Sequence, residues 1–304
     1  MSGRGQQQRE ALFDMLAEVF GQRSPDHVGL YPCPICLTLH DRGSATDGRL
    51  TLEHVPPRRL GGRPIVLTCK RCNSDAGSSV DIDWINQSLS FDFLHSRPAT
   101  VRAEIGVGIV RQRATIQSTG DGMLILGVPS AGPPERPDEV ASALQSTHEP
   151  KFNVRLEHHH SPVSAKVAVL RSAYLLTLRK LGWGYILRQV FDPLRAQLVQ
   201  PAESTIDVPV QANPAMPMST PTVLLATEPA PYRCVLVSFG QHVAFLPAPM
   251  QAGPFFASVA QRFREFTSTG SAAELRGSTL DGTGPDMLFD RVPGATEFPG
   301  AEYG

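Results

Sequence analysis

The sequence predicts an α+β chain, and three observations carry that reading. Apolar residues recur at helical spacing over Gln7–Phe20 and again over Ser164–Leu181, and the run after Pro98 alternates as a half-buried strand does. Two cysteine pairs, Cys33/Cys36 and Cys69/Cys72, then mark out a small module of their own. With 304 residues, 41% hydrophobic and 19% charged, the chain can bury a core without disulfides and has a globular composition. The formal net charge is -1, so any contact with a polyanion has to be local. No run approaches the roughly 20 apolar residues of a membrane-spanning helix, and Met1–Arg9 lacks the apolar centre of a secretory signal. The expectation is a cytoplasmic protein with no membrane partner.

Residues 1–24 read as an N-terminal amphipathic helix: Leu12, Met15, Leu16, Val19 and Phe20 share a face, and Gly21 offers a stop. Residues 25–97 form the cysteine-rich module, with Leu50–Leu52 as a short strand and a helix beginning near Cys69 or Cys72. Residues 98–268 read as a larger mixed α/β domain of unknown topology. Its first strand carries Val101, Ala103, Ile105, Val107 and Ile109 on one face, and a second follows at Thr115–Gln117 or Met123–Val128. After a Gly/Pro-rich linker (Ser130–Pro137) come a short helix over Asp138–Gln145 and a strand at Phe152–Leu156. In the helix over Ser164–Leu181, Val167, Leu170, Tyr174, Leu178 and Leu181 fall on one stripe and Gly182 can end it. Strands at Thr222–Leu225 and Cys234–Phe239 and a helix near Phe255–Phe266 complete that domain. Residues 269–304 are rich in Ser, Gly, Thr and Pro and read as a disordered tail.

The cysteines set the chemistry. Two pairs, each with a two-residue gap, supply the tight turns from which four thiolates complete a tetrahedral zinc shell, whereas Cys234, in an apolar run, reads as a buried thiol. Between the pairs roughly thirty residues are looped out and returned to one ion, which lowers the entropy of holding them in place. That loop carries Glu53-His54-Val55-Pro56. An extended backbone would send Glu53 and His54 to opposite sides, while a bend at Val55-Pro56-Pro57 would bring both to one ion. Phosphodiester hydrolysis needs a base, a cation and phosphate-positioning donors. His54 suits the first role and Glu53 the ligation of a hard cation, with Arg58, Arg59, Arg63, Lys70 and Arg71 as a phosphate surface.

Cys33-Pro34-Ile35-Cys36, the run Leu52–Arg58, Gly61-Gly62 and the run Leu67–Asn73 resemble the HNH endonucleases, a branch of the ββα-metal (His-Me finger) nucleases, over about Tyr31–Asp83. The resemblance implies a ββα-metal module that cuts DNA. It passes the general-base role to His54 and ligation of Mg2+ or another divalent cation to Glu53 and Asn73, with Asp75 or Asp81 as a further ligand. The asparagine that commonly orients the base histidine would fall near Pro64, whose side chain offers no carbonyl. A zinc-stabilised nucleic-acid or protein binding module without cleavage is the competing reading.

Outside the module, His158, His159 and His160 read as a polar strand end, since consecutive strand residues alternate sides. Gly182-Trp183-Gly184-Tyr185 read as helix-end packing, with base stacking as the alternative, and Arg171 and Tyr174 share that ambiguity. The larger domain would serve substrate recognition or homodimer formation.

Overall fold

The computed structural model describes residues 3–126 apart from 76 and 108–109, and residues 152–250 apart from 158, 159 and 204. It also describes 142, 145, 254–256, 258–259, 261–262 and 275–280. Ile109, the linker over Ser130–Pro137 and most of the helix expected over Asp138–Gln145 lie outside these residues.

Helix α1 (Gly3–Arg23) buries Phe13, Leu16, Ala17 and Phe20, and Leu12, Met15 and Val19 pack at the margin of the same core. It runs past Gly21, the expected stop, to Arg23. Gly21 instead serves packing, because a Cβ there would meet the Val28 backbone at 3.3 Å.

The module follows. Strands β1 (Tyr31–Pro32) and β2 (Leu39–His40) pair around the first cysteine turn, and a short helix α2 (Gly43–Asp47) leads into β3 (Leu50–Val55). β3 pairs antiparallel with β4 (Arg63–Cys69), a π-helical turn spans Arg71–Asp75, and α3 (Gly77–Leu94) leaves from it. The sequence signalled only the first half of β3. β4, with its Arg-Pro opening, does not alternate and gains its strand character from pairing with β3.

β5 (Ala99–Val107) and β6 (Val110–Ser118) pair antiparallel, β7 (Met123–Leu126) adds to β6, and β8 (Phe152–Leu156) adds to β5. Both alternatives for the second strand are therefore realised. Val101, Ala103, Ile105, Ala114 and Ile116 make a small separate core with Leu89 and Phe93 of α3.

Helix α4 (Pro162–Leu181) is delimited as its sequence suggests. The Ser161 hydroxyl accepts the Ser164 N–H at 3.2 Å, Pro162 sits in the first turn, and Gly182 follows the last. It is not a one-sided surface helix, however. Val167, Leu170, Tyr174 and Leu178 are buried, but so are Ala168, Val169, Ser172 and Leu175 on the other faces. α5 (Trp183–Ile186) and α6 (Asp192–Val199) fold back beside it.

A five-stranded antiparallel sheet closes the fold, with β9 (Val210–Ala212), β10 (Thr222–Glu228), β11 (Cys234–Ser238), β12 (His242–Pro247) and β13 (Arg276–Leu280) in the order β13-β10-β11-β12-β9. β13 corrects the expectation of disorder throughout 269–304. Its polar sequence, Arg-Gly-Ser-Thr-Leu, tolerates an exposed edge, and backbone pairing to Val223–Glu228 holds it there. The other tail residues from 281 lie outside the described ones.

The core does not divide at residue 98. One cluster joins Phe13, Leu16 and Phe20 of α1, Tyr31, Val66 and Trp84 of the module, Tyr174 of α4 and Val235 and Leu246 of the sheet. α4, assigned from sequence to a second domain, is the central element that ties the module to the sheet. Each fully buried Leu or Phe in it contributes about 1.5–3 kcal/mol. No helix among the described residues is long and apolar enough to cross a membrane.

Candidate functional site

The two cysteine turns meet. Cys33, Cys36, Cys69 and Cys72 bring their sulfurs within 4.8 Å of one another, and among the described residues they are the only group of three or more Cys, His or carboxylate side chains so placed. The first turn is closed by Cys33 N–H donating to Thr38 O at 2.9 Å and Leu37 N–H donating to Cys33 O at 2.8 Å, with Leu37 at φ +61. The second turn enters from β4 and leaves through the π-helical turn. Cys69 N–H points at the Cys33 sulfur, 3.4 Å away. Burial and the neighbouring thiols push the Cys33 thiol well up, while the bond from Cys33 draws Cys36 down to about 6 and Cys69 lower still. Cys72 is pushed up as Cys33 is, and four sulfurs this close have the chemistry of a thiolate ligand set, so the cluster could hold a metal such as zinc.

Glu53 and His54 part company on β3. Glu53 faces Val66 across the hairpin and His54 faces Pro64, with a bulge between them that leaves Ile65 as the extra residue on β4. Pro64 has no N–H to give the ladder, and a bulge is where a strand tolerates that. Glu53 turns into the core at 4% exposure, where its Oε2 accepts from Arg171 Nη2 at 2.7 Å and from the Thr68 hydroxyl at 3.1 Å. Burial pushes the Glu53 carboxyl up and Arg171 pulls it back. Arg171 also donates to Cys72 O at 3.3 Å and lies 3.7 Å from Asp81, whose carboxyl burial pushes up to about 7 against the attraction of that guanidinium. Of the two further ligand candidates, Asp81 therefore belongs to the Glu53 group, while the Asp75 side chain lies outside the described residues.

Asn73 approaches the same side of the hairpin. Its Nδ2 donates to Thr51 Oγ1 at 2.8 Å and to Leu52 O at 3.3 Å. A carbonyl can only accept, so the Leu52 contact fixes which end of the amide points there and leaves Oδ1 facing away from the strand. Glu53 is similar: both of its bonds fall on Oε2, and Oε1 has none among the described residues.

His54 lies on the other face, with Leu52, in an open cleft of about 810 Å³ that Arg58 and Arg63 also line. Its imidazole has no hydrogen-bond partner among the described residues, and partial burial followed by the charge of Arg58 holds it below the ordinary histidine value. The loop behind it is tightly drawn. A Cβ on Gly62 would lie 1.5 Å from Pro56 O, and Gly61 takes φ +84, so the Gly61-Gly62 pair is required by close approach and by a left-handed turn. Of the five basic residues expected to meet phosphate, Arg58 and Arg63 reach this cleft. Arg59, Lys70 and Arg71 do not line it, and Arg71 sits instead beside the Cys36 sulfur.

Helix α4 contributes two residues that sequence left ambiguous. Arg171 closes on Glu53, and the Tyr174 hydroxyl donates to Pro34 O, inside the first cysteine turn, at 2.8 Å. Both serve the module and neither faces solvent. Trp183 donates to Leu16 O at 3.0 Å and packs edge-on against Phe20 and Tyr31, so the Gly182–Tyr185 aromatics are core, as read. Cys234 is buried, as expected. β8 ends at Leu156, ahead of the histidine run, of which His158 and His159 lie outside the described residues. Compared with known proteins, the chain matches no family model, no curated protein and no solved structure.

Proposed function

We propose that this chain is an HNH-type endonuclease that hydrolyses nucleic-acid phosphodiester bonds, DNA being the substrate expected from the resemblance. The observation that supports it is His54, an unpartnered imidazole biased toward its neutral form, in an arginine-lined cleft on a β-hairpin whose second strand leads into a helix through the four-cysteine cluster. Neutral His54 can accept a proton from a water molecule attacking phosphorus, a role that contributes about 10²–10⁴ in rate. Arg58 and Arg63 bind the flanking phosphate oxygens. Zinc on the four thiolates fixes the hairpin and takes no part in the reaction.

The donors for a hard cation are Glu53 Oε1, Asn73 Oδ1 and the Asp81 carboxylate, all without competing donors on those atoms except for the guanidinium that Asp81 shares. These donors lie on the opposite face of β3 from the His54 cleft, so an ion on them would not share a phosphate with His54, and within that cleft Arg58 and Arg63 are the groups that neutralise the phosphate. Arg171, already beside Glu53, favours the second reading. A carboxylate paired to arginine at 2.7 Å is less available to a cation, as in a module that binds nucleic acid without cutting it.

Nicking of supercoiled plasmid by the purified protein in Mg2+, with binding of a labelled duplex measured in parallel, separates the two. The nuclease reading expects His54→Ala to cut at least about a hundredfold more slowly while binding the duplex as the parent does. Equal cutting by the parent and His54→Ala would remove His54 as the base. Binding by the parent with no cutting in any divalent cation would leave the second reading standing.

A further inference from the structure

We infer that the start of α1 is one wall of the nucleic-acid site, with Arg4, Gln7 and Gln8 gripping the strand opposite His54, Arg58 and Arg63. This rests on the reading of the His54 cleft as a nucleic-acid site, and it assigns a positioning role to a helix that lies outside the matched module.

Arg4, Gln7 and Gln8 fall at i, i+3 and i+4, the spacing that puts side chains on one helix face, and all three are exposed and line the cleft. The helix that carries them is held firmly. Arg9 is buried and its Nε donates to Ala45 O at 2.7 Å, Glu10 accepts from Thr46 at 3.1 Å, and Asp14 takes a two-point bond from Arg42 at 2.7 and 3.0 Å. Two successive turns of α1 are thus tied to α2 and its flanks, which sets the position of Arg4 relative to His54.

The charge in the cleft identifies its occupant. Arg4, Arg58 and Arg63 converge there, no carboxylate lines it, and none of the three has an ion pair or hydrogen bond among the described residues. Elsewhere on the module Arg42 is paired with Asp14 and Arg49 with Asp47, while the exposed Arg59, outside the cleft, has no ion pair among the described residues. Three uncompensated guanidiniums around one imidazole make a polyanion site in a chain whose formal charge is only -1. The glutamines add donors and acceptors that suit base edges and sugar hydroxyls as well as phosphate. A polynucleotide strand offers all of these along its length.

The test uses the full chain and a fluorescently labelled DNA duplex, titrated at several salt concentrations. Replacing Arg4, Gln7 and Gln8 together by alanine is expected to weaken binding at least about tenfold and to flatten the salt slope by about 0.9 for the one lost cation. The urea midpoint should not change, since all three side chains are exposed. Arg49→Ala, outside the cleft, should bind as the parent does. If the triple variant binds as tightly as a parent that does bind, the α1 wall is overturned and the nuclease reading is untouched. If the parent does not bind, both fall. Competition by polyglutamate as strong as by unlabelled duplex would overturn the assignment to nucleic acid in favour of an acidic protein.

Discussion

Arg171 and Glu53, 118 residues apart in the chain, meet at 2.7 Å with almost no exposure on either side, at 2% and 5% of their side chains. The pair joins α4 to the strand that carries the proposed chemistry and buries one charge of each sign in the interior. Arg171 Nε has no hydrogen-bond partner among the described residues, so the guanidinium enters the core with part of its hydrogen-bonding capacity unmet by them. Such a pair adds little net stability over apolar residues of the same shape, whereas removing one partner strands the other charge.

Arg171→Met is therefore expected to destabilise the protein by about 3–5 kcal/mol, with Glu53→Gln also costly, and the Arg171→Met/Glu53→Gln double variant is expected to recover a large part of the loss. Urea unfolding of the four proteins gives the coupling energy directly. Additive losses, with no recovery in the double variant, would show that the two side chains do not act as a pair.

The cysteine cluster makes a prediction about composition and folding together. Purified protein should carry about one zinc per chain, and Cys69→Ser should lose it, because three thiolates and a hydroxyl are a much poorer set for that ion. The consequence should extend beyond the module. Cys33, Cys69 and Cys72 share one core cluster with α1, α4 and the five-stranded sheet, so chelation should lower the single unfolding midpoint of the whole chain. Metal analysis and thermal unfolding with and without chelator check this. A chain that purifies without metal and unfolds at the same temperature in chelator would remove the zinc assignment.

Much of the module was legible because its signals are local. The two-residue gap in each cysteine pair, the glycines where a left-handed turn or close backbone approach is needed, and the stripe of α1 all act within a few residues of themselves. What was not legible depends on contacts distant in sequence. β4 is a strand because β3 pairs with it, and β13 because β10 offers an edge. Nothing near Arg171 in sequence marks it as turned inward, and the groups that hold it, Glu53, Cys72 O and Asp81, all lie far from it in the chain. The bend expected at Val55–Pro57 begins one residue too late to swing Glu53 and His54 to one side. The bulge opposite Ile65 leaves them on separate faces, and Arg4, Gln7 and Gln8 join the cleft through a helix whose sequence carries only a core-packing signal.

His242 links α3 to the five-stranded sheet and makes stability depend on pH. It has no exposure. Trp84 Nε1–H, which can only donate, points at His242 Nδ1 from 3.2 Å, so the ring proton belongs on Nε2, which donates to Gln87 Oε1 at 2.8 Å. The Trp84 bond requires the neutral ring, because a protonated Nδ1 cannot accept. Burial, followed by the charge of Lys166, brings the folded-state value down from 6.5 to about 4. Between these values the unfolded chain binds the proton and the folded one does not, so this residue's contribution is complete above 6.5 and is lost as pH falls toward about 4. At about 1.36 kcal/mol per pH unit the loss is roughly 3 kcal/mol at most. Asp81, pushed up from 3.8 to about 7, acts in the opposite sense across much of that window, so the pH profile of the parent alone does not isolate His242. The difference between the parent and His242→Gln does, because Asp81 is common to both. The stability advantage of the parent, measured by urea unfolding at pH 7, 5.5 and 4, should shrink by roughly 2–3 kcal/mol across the series. An advantage that stays constant would mean that the ring is not held neutral between Trp84 and Gln87.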